Sequence, residues 1–307
     1  GIDVLAAGFP FLVVLIGIFA VSQLASEVEN PSELQQGKAL VSGSMQFRPF
    51  AVMREVLSRP VNLLRSSLLG VVIGAVPGAG GSIANLTAIV TAREIMDVRA
   101  RDVESSCIYM SADVHHCVDK SLRAAGLTEC KNRLVPMDNC FRMDVSKLEQ
   151  MIAEDRAAGL RPWLITASAG TTDTGAVDPI DAIAELASQN DLWLHVDAAY
   201  GGFFLLCEEG RQVLRGLEKA HSLVLDPHKG MFLPYGSGAV LVRDVRWLAQ
   251  AHAYQADYMQ DARADEGQYS PADLSLELSR PFRGLRFWLP VKLFGLAPFR
   301  AALAEKR

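Results

Sequence analysis

One lysine stands where a buried strand is expected to give way to a turn. Residues 223–225 are apolar, and the sequence Asp-Pro-His-Lys229 follows them, ahead of a glycine-rich segment at 230–238. A lysine that is partly withdrawn from water gives up its proton more easily and becomes an amine nucleophile. Lys229 is therefore a candidate for a covalent role, and the alternative is a solvated loop lysine.

A carboxylate stands at the end of a second apolar run. Residues 192–196 are too apolar for a surface strand, and Asp197 follows them directly. Aspartate after a strand is common, so Asp197 says little without Lys229. An amine and a buried carboxylate at two strand ends are what pyridoxal phosphate (PLP) chemistry requires. The lysine forms a Schiff base with that cofactor, and the carboxylate pairs with its pyridinium nitrogen.

Alternating strands and helices must position these two side chains. The predicted strands are 107–111, 132–138, 162–168, 192–196, 222–225 and 238–242. The predicted helices are 86–101, 112–126, 144–158, 177–189 and 245–253. This alternation indicates an α/β fold with a mostly parallel sheet covered on both faces. Ligands of such sheets bind at the carboxyl ends of the strands, where Ser168, Asp197 and Lys229 are expected.

Composition excludes several classes of protein. The 307 residues are 50% hydrophobic and carry a net charge of -5, which argues against nucleic-acid binding. The five cysteines include no Cys-x-x-Cys pair, which suits free thiols in a reducing compartment. Cys117 lies next to His115 and His116, but a second ligand pair is lacking, so no metal site is predicted.

Two segments near the amino terminus are long and uncharged. Residues 4–26 and 66–92 contain no charged side chain, and each is long enough to cross a bilayer. The first segment lacks the basic start and cleavage site of a signal peptide. Four arginines between the segments would place the linker in the cytoplasm. The alternative is that both segments are buried core helices.

Three motifs together resemble one enzyme family. They are Ser168-Ala-Gly-Thr-Thr, then His195-Val-Asp-Ala-Ala-Tyr-Gly, then Asp226-Pro-His-Lys. In this order and spacing they resemble the group II PLP-dependent amino-acid decarboxylases, the family of the aromatic-amino-acid and glutamate decarboxylases. The resemblance covers about residues 81–307 and implies a PLP-dependent transferase-like large domain of fold type I.

The resemblance implies a role for each matching residue. Lys229 would form the Schiff base, Asp197 would pair with the pyridinium nitrogen, and His115 would stack on the ring. A solvent-facing helix histidine is the alternative for His115, and His116 is the less favoured stacking partner. The remaining positions that the family would place around the cofactor are Ala199 and Ser168 at the ring, and Gly81, Ser82 and His228 at the phosphate. Tyr269 would match a mobile-loop tyrosine that protonates the substrate carbon.

The amino-terminal residues resemble a different family. Residues 64–81, which end in Pro-Gly-Ala-Gly-Gly, look like the large membrane subunit of tripartite tricarboxylate transporters, a resemblance that covers about the first 86 residues. Ile83 stands where the decarboxylases usually have glutamate. We therefore predict a fusion, with transporter-like residues 1–80 and a decarboxylase-like domain at 81–307. A single enzyme with an unusual amino terminus is the alternative.

These resemblances predict α-decarboxylation of an L-amino acid by a cytoplasmic homodimer, with membrane association through residues 4–26 and 66–92. The family's amino-terminal helical segment and its small carboxyl-terminal domain have no counterpart here, so we expect a damaged or empty site. One alternative function is a transporter fragment with an inert soluble tail. Another is a different fold-type I reaction, such as transamination or aldol cleavage.

Overall fold

The computed structural model describes residues 81–254, 269–278 and 282–306. All of them belong to the second of the two units into which the chain divides, Val76–Arg307. The predicted segment 4–26, most of the predicted segment 66–92 and the transporter-like residues 1–80 lie outside the described residues.

A mixed six-stranded sheet forms the centre of the described residues. Its strands are β1 (Ser106–Ser111), β2 (Lys131–Val135), β3 (Arg161–Ser168), β4 (Trp193–Asp197), β5 (Ser222–Leu225) and β6 (Ala239–Val242). Their order is β2-β1-β3-β4-β5-β6. All neighbours pair in parallel except β5 and β6, which pair antiparallel. The predicted, mostly parallel sheet is confirmed.

Helices connect and flank the strands. They are α1 (Gly81–Ile95), α2 (Cys117–Ala124), α3 (Val145–Ala157), α4 (Ile180–Gln189), α5 (Glu208–Val213), α6 (Pro227–Gly230), α7 (Val245–His252), α8 (Gly284–Phe294) and α9 (Ala297–Glu305). Short 3-10 helices occupy Ala100–Ser105, Gly202–Leu206, Leu217–Lys219 and Pro271–Leu274.

Three sequence predictions need correction. The helix predicted over 86–101 is α1, which starts at Gly81 and ends before Asp97, whose positive φ of 51° breaks the helix. The helix predicted over 112–126 starts only at Cys117, so His115 precedes the helix. The segment after β5 was predicted as a turn and forms a short helix, α6, because Pro227 occupies its first position, where proline is preorganised for a helix.

Both faces of the sheet are buried. Side chains of successive strand residues point to opposite faces, so Cys107 and Tyr109 join one hydrophobic cluster, while Ile108 and Met110 join the other. Helices α3 and α4 cover the first face, and α1 and α2 cover the second. A parallel sheet covered on both sides explains why its strands read as nearly continuous apolar runs.

No single helix within 81–254, 269–278 and 282–306 is long and apolar enough to cross a membrane. Helices α8 and α9 pass such a test only as a pair, with a bend of 100° between them. Residues 81–92 of the predicted second span form most of α1, where Ala88, Ile89 and Ala92 are buried against α2 and the sheet. This part of the predicted span is therefore a core helix.

Candidate active site

The predicted site residues meet at one edge of the sheet. Strand β3 ends at Ser168 and β4 ends at Asp197, and these two residues are register partners. Asp197 is in turn the partner of Val224 on β5, two residues before Asp226. The parallel register thus brings three strand ends side by side, as the sequence predicted for ligand binding.

The chain after Asp197 packs tightly onto the neighbouring strand ends. Gly201 donates its N–H to the Ala169 carbonyl at 3.1 Å, and a Cβ at Gly201 would overlap that same carbonyl group. A Cβ at Gly202 would overlap the side chain of Leu225. At Gly201 the neighbouring backbone leaves no room for a Cβ, and at Gly202 the Leu225 side chain occupies that space. This packing fixes the chain that follows Asp197.

Asp197 is buried and hydrogen-bonded at both oxygens. Its Oδ1 accepts from the Ala199 N–H at 3.1 Å, and its Oδ2 accepts from the Cys117 thiol at 3.7 Å. Burial, together with the nearby Asp197 carboxylate, raises the pKa of Cys117 to about 12. The carboxylate is therefore fixed in orientation by two donors, and the thiol beside it stays protonated.

His115 lies among the charged groups of the site. Burial lowers its pKa, His116 and Lys229 lower it too, and the carboxylates of Asp197 and Asp226 oppose that shift. The rings of His115 and His116 are 4.1 Å apart. The imidazole is therefore within electrostatic range of the amine and of both carboxylates, and its neutral form is favoured.

Lys229 projects from α6 beside a buried carboxylate. Its Nζ lies 3.2 Å from Oδ2 of Asp226, and the side chains are 36% and 3% exposed, respectively. Burial raises the pKa of Asp226, whereas Lys229 and His228 lower it. Oδ1 of Asp226 is buried and has no hydrogen-bond partner among the residues that the structure describes. The amine is thus accessible, and within the described part of the chain the carboxylate beside it keeps one acceptor oxygen unpaired.

His228 faces away from solvent on the same short helix. Its Nδ1 lies 2.8 Å from the Ser237 carbonyl oxygen, which requires Nδ1 to carry the proton. Its Nε2 lies 3.7 Å from Asp226 Oδ2, and its ring meets Tyr235 edge-on at 4.5 Å. Tyr235 is largely exposed and covers one side of this imidazole.

Of the other predicted positions, Ala199, Ser168 and the start of α1 lie at this edge, whereas Tyr269 lies near Arg246 of α7. Ala199 packs with Ala84 of α1 and Val224 of β5, and Ser168 is buried with its N–H donating to Asp178 at 2.7 Å. Gly81 opens α1 and Ser82 lies exposed in its first turn, where backbone N–H groups suit an anion. Tyr269 lies between two undescribed ranges, 38% exposed, in reach of the Arg246 charge.

The side chains fit PLP better than a metal ion. The ligand atoms of His115, Cys117 and Asp197 all lie within 4.8 Å of one another, a spacing that a metal could use. Metal binding would have to displace the Cys117 proton, which burial and the Asp197 charge hold more tightly than usual. PLP binding instead needs a buried carboxylate and an accessible amine, which Asp197 and Lys229 supply. Asp226 adds a hydrogen-bond acceptor beside that amine.

Comparison with known families agrees with this chemistry. The profile described as "Pyridoxal-dependent decarboxylase conserved domain" matches residues 26–306. The chain belongs to this family. The match starts inside residues 1–80, which we expected to be transporter-like throughout. PLP is the cofactor of the pyridoxal-dependent decarboxylases. The sheet and helices described above have the architecture of the large domain of fold type I in these enzymes.

Individual relatives give the same assignment. The aromatic-L-amino-acid decarboxylase of Bacillus atrophaeus is 39% identical over 226 residues, which cover 73% of this chain and 47% of that protein. The crystal structure of mouse CSAD matches with a TM-score of 0.63 and 32% identity, covering 72% and 47% of the two chains. Oryza sativa TDC with PLP matches with a TM-score of 0.61 and 28% identity, covering 72% and 44%. The chain spans about half the length of the curated relatives it matches.

Sequence reasoning missed two residues of this candidate site. Asp226 follows β5 directly, as Asp197 ends β4, so its position after an apolar run was an available signal. Cys117 was considered only as a metal ligand, and its contact with Asp197 joins residues 80 positions apart. Local sequence patterns do not predict a contact between residues so far apart in the sequence.

Proposed function

We propose that the whole protein is a PLP-dependent amino-acid decarboxylase, a carboxy-lyase. The observation that supports this most directly is the meeting of Asp197, Lys229 and His115 at one sheet edge in a member of the pyridoxal-dependent decarboxylase family. The Bacillus atrophaeus relative is named for decarboxylation of aromatic L-amino acids, which makes an L-amino acid the proposed substrate class.

Lys229 and Asp197 have complementary roles in this proposal. Lys229 would hold the cofactor covalently through Nζ, which is exposed enough to meet an aldehyde. The cofactor would supply an electron sink for the pair left on the substrate carbon when carbon dioxide departs. Asp197 keeps a proton on the ring nitrogen, because a buried carboxylate in a site of low dielectric favours a cation opposite it.

The remaining residues position the ring and the phosphate. His115 presents a neutral imidazole to the ring face, and Ala199 and Ser168 limit the space beside it. Gly81 and Ser82 at the start of α1 receive the phosphate together with His228. Asp226 holds the Lys229 amine in the absence of a cofactor. Tyr269 is proposed to return a proton to the substrate carbon.

Reconstitution with PLP tests the proposal. Wild type is expected to develop the visible absorbance of a covalent lysine adduct and to release carbon dioxide from an L-amino acid. Lys229→Ala is expected to lose the absorbance, while Lys120→Ala, an exposed lysine on α2, keeps it. Absorbance that survives in Lys229→Ala refutes the anchor. Consumption of an amino acid without carbon dioxide indicates transamination or aldol cleavage instead.

Three further expectations remain proposals. We propose a homodimer, which sedimentation of the PLP-loaded protein tests. We propose that residues 1–80 derive from a transporter-like gene; reading genomic DNA across residues 75–95 tests that origin. Membrane association was predicted through residues 4–26 and 66–92, and because 81–92 form a core helix we now propose it only for residues 4–26. Fractionation tests it, and a wholly soluble protein argues against it.

A further inference from the structure

A line of buried polar side chains runs behind the carboxylate of Asp197. Its members come from β4, β5 and the two helices that cover this face, and each is at least nine-tenths buried: Trp193, Ser222, His195, Asn85, Cys117 and Asp197. Trp193, His195 and Asp197 alternate along β4, so all three project from the same face of the sheet. Asn85 on α1 and Cys117 at the start of α2 complete the line above that face.

Five hydrogen bonds link the line end to end. The Trp193 indole donates to Ser222 Oγ at 2.9 Å, and Ser222 Oγ lies 2.9 Å from His195 Nδ1. His195 Nε2 lies 2.9 Å from Asn85 Oδ1. Asn85 Nδ2 donates to Cys117 Sγ at 3.3 Å, and that thiol donates to Asp197 Oδ2 at 3.7 Å.

The chemistry of these atoms fixes the direction of every proton. Asn85 Oδ1 can only accept, so His195 must carry its proton on Nε2. Burial lowers the pKa of His195 to about 4, so its Nδ1 is unprotonated and accepts from the Ser222 hydroxyl. Ser222 in turn accepts from the indole. All five donors therefore point toward Asp197, an arrangement in which successive hydrogen bonds strengthen one another.

We propose that Cys117 is a positioning residue that, as the last donor of this line, holds the carboxylate of Asp197 in the orientation that meets the ring nitrogen of PLP. The inference rests on the proposed function, since it assigns Asp197 to that nitrogen. The Ala199 N–H holds Oδ1 and the Cys117 thiol holds Oδ2, so the plane of the carboxylate is set before any ligand arrives. Such preorganisation spares the cost of ordering the group on binding.

The S–H stretching band of the protein without cofactor tests the hydrogen bond itself. This band lies in a part of the infrared spectrum free of other protein absorption, and the difference between wild type and Cys117→Ala isolates it. We expect a band displaced to low frequency by the carboxylate, which moves to higher frequency in Asp197→Asn. An S–H band whose frequency is the same in wild type and in Asp197→Asn overturns the proposal.

PLP affinity tests the positioning role. Loss of one net hydrogen bond predicts that Cys117→Ala binds PLP about 2- to 10-fold more weakly. Cys117→Ser keeps a donor and is expected to recover most of the affinity, whereas Cys130→Ala, a buried cysteine in the hydrophobic cluster, is expected to match wild type. Unchanged affinity in Cys117→Ala, or equal losses in the alanine and serine variants, overturns the proposal. If wild type binds no PLP, the proposed function fails, and the infrared comparison still decides whether the thiol holds Asp197.

Discussion

The two glycines after Asp197 provide a sharp test of how the site is supported. A Cβ at Gly201 would overlap the carbonyl oxygen of Ala169 and lie 3.0 Å from its carbonyl carbon. The Ala169 backbone cannot move away freely, because its own N–H donates to the Asp197 carbonyl at 2.9 Å. Gly201→Ala must therefore separate the ends of β3 and β4, and we expect it to cost about 1–3 kcal/mol of unfolding free energy, as overpacking typically does.

Gly202 makes a matched comparison, since its obstacle is a side chain. A Cβ there would overlap Leu225, which is half-buried and can be shortened, and would lie 3.0 Å from the Ala198 Cβ. We expect Gly202→Ala to cost a similar amount by itself and less in a Leu225→Ala background, where the Ala198 contact remains. In that background Gly201→Ala is expected to keep its full cost, because the atoms it meets belong to the backbone.

Urea unfolding of the protein without cofactor measures these costs. A changed midpoint with an unchanged slope reports altered stability. A loss of 1 kcal/mol corresponds to about 2–4 °C in melting temperature for a domain of this size. The reasoning is refuted if Gly201→Ala is as stable as wild type, or if Leu225→Ala rescues both glycine variants equally.

Three further outcomes are expected from buried carboxylates. Arg133→Leu removes the charged partner of buried Asp155 and leaves it the Tyr109 hydroxyl and the Cys107 thiol as side-chain donors, and urea melts are expected to show a loss of about 1.5–3 kcal/mol. Burial acts to raise the pKa of Asp155, but Arg133 and Tyr109 outweigh it and leave that pKa lowered. The ion pair therefore stabilises the fold at pH values above 3.8, the pKa of the unfolded aspartate, and this stabilisation is lost as the pH falls through the pKa of the folded state. In Arg133→Leu, the part of the unfolding free energy that is lost in acid should be smaller. Asp178 accepts two backbone N–H groups, at 2.7 Å each, one per oxygen, so Asp178→Asn strands one donor and is expected to cost about 1–3 kcal/mol in the same melts. Wild-type stability in either variant contradicts these assignments.

The ends of the strands could be predicted because each one follows from a local sequence pattern. Apolar runs of strand length ended at Ser168, at Leu225 and one residue before Asp197, and the structure ends β3, β4 and β5 within one residue of those positions. Alternation with helices then implied a parallel sheet, and a parallel sheet places those ends at one edge.

Contacts between distant elements were not predictable. The bond from Cys117 to Asp197 depends on how α2 lies over β4, and α2 itself starts five residues later than its sequence pattern suggested. In the sequence, His195 is part of an apolar strand. Its two ring nitrogens form hydrogen bonds because the fold places Ser222 and Asn85 next to them. Helix packing, not sequence periodicity, determines these partners.

The central claim is that Lys229 is the residue that binds PLP covalently at the sheet edge formed with Asp197. The most direct measurement is to load the protein with PLP, reduce it with borohydride and locate the labelled lysine by mass spectrometry of its peptides. The account predicts one pyridoxyl group, on Lys229. A label on a different lysine, with Lys229 unmodified, contradicts it.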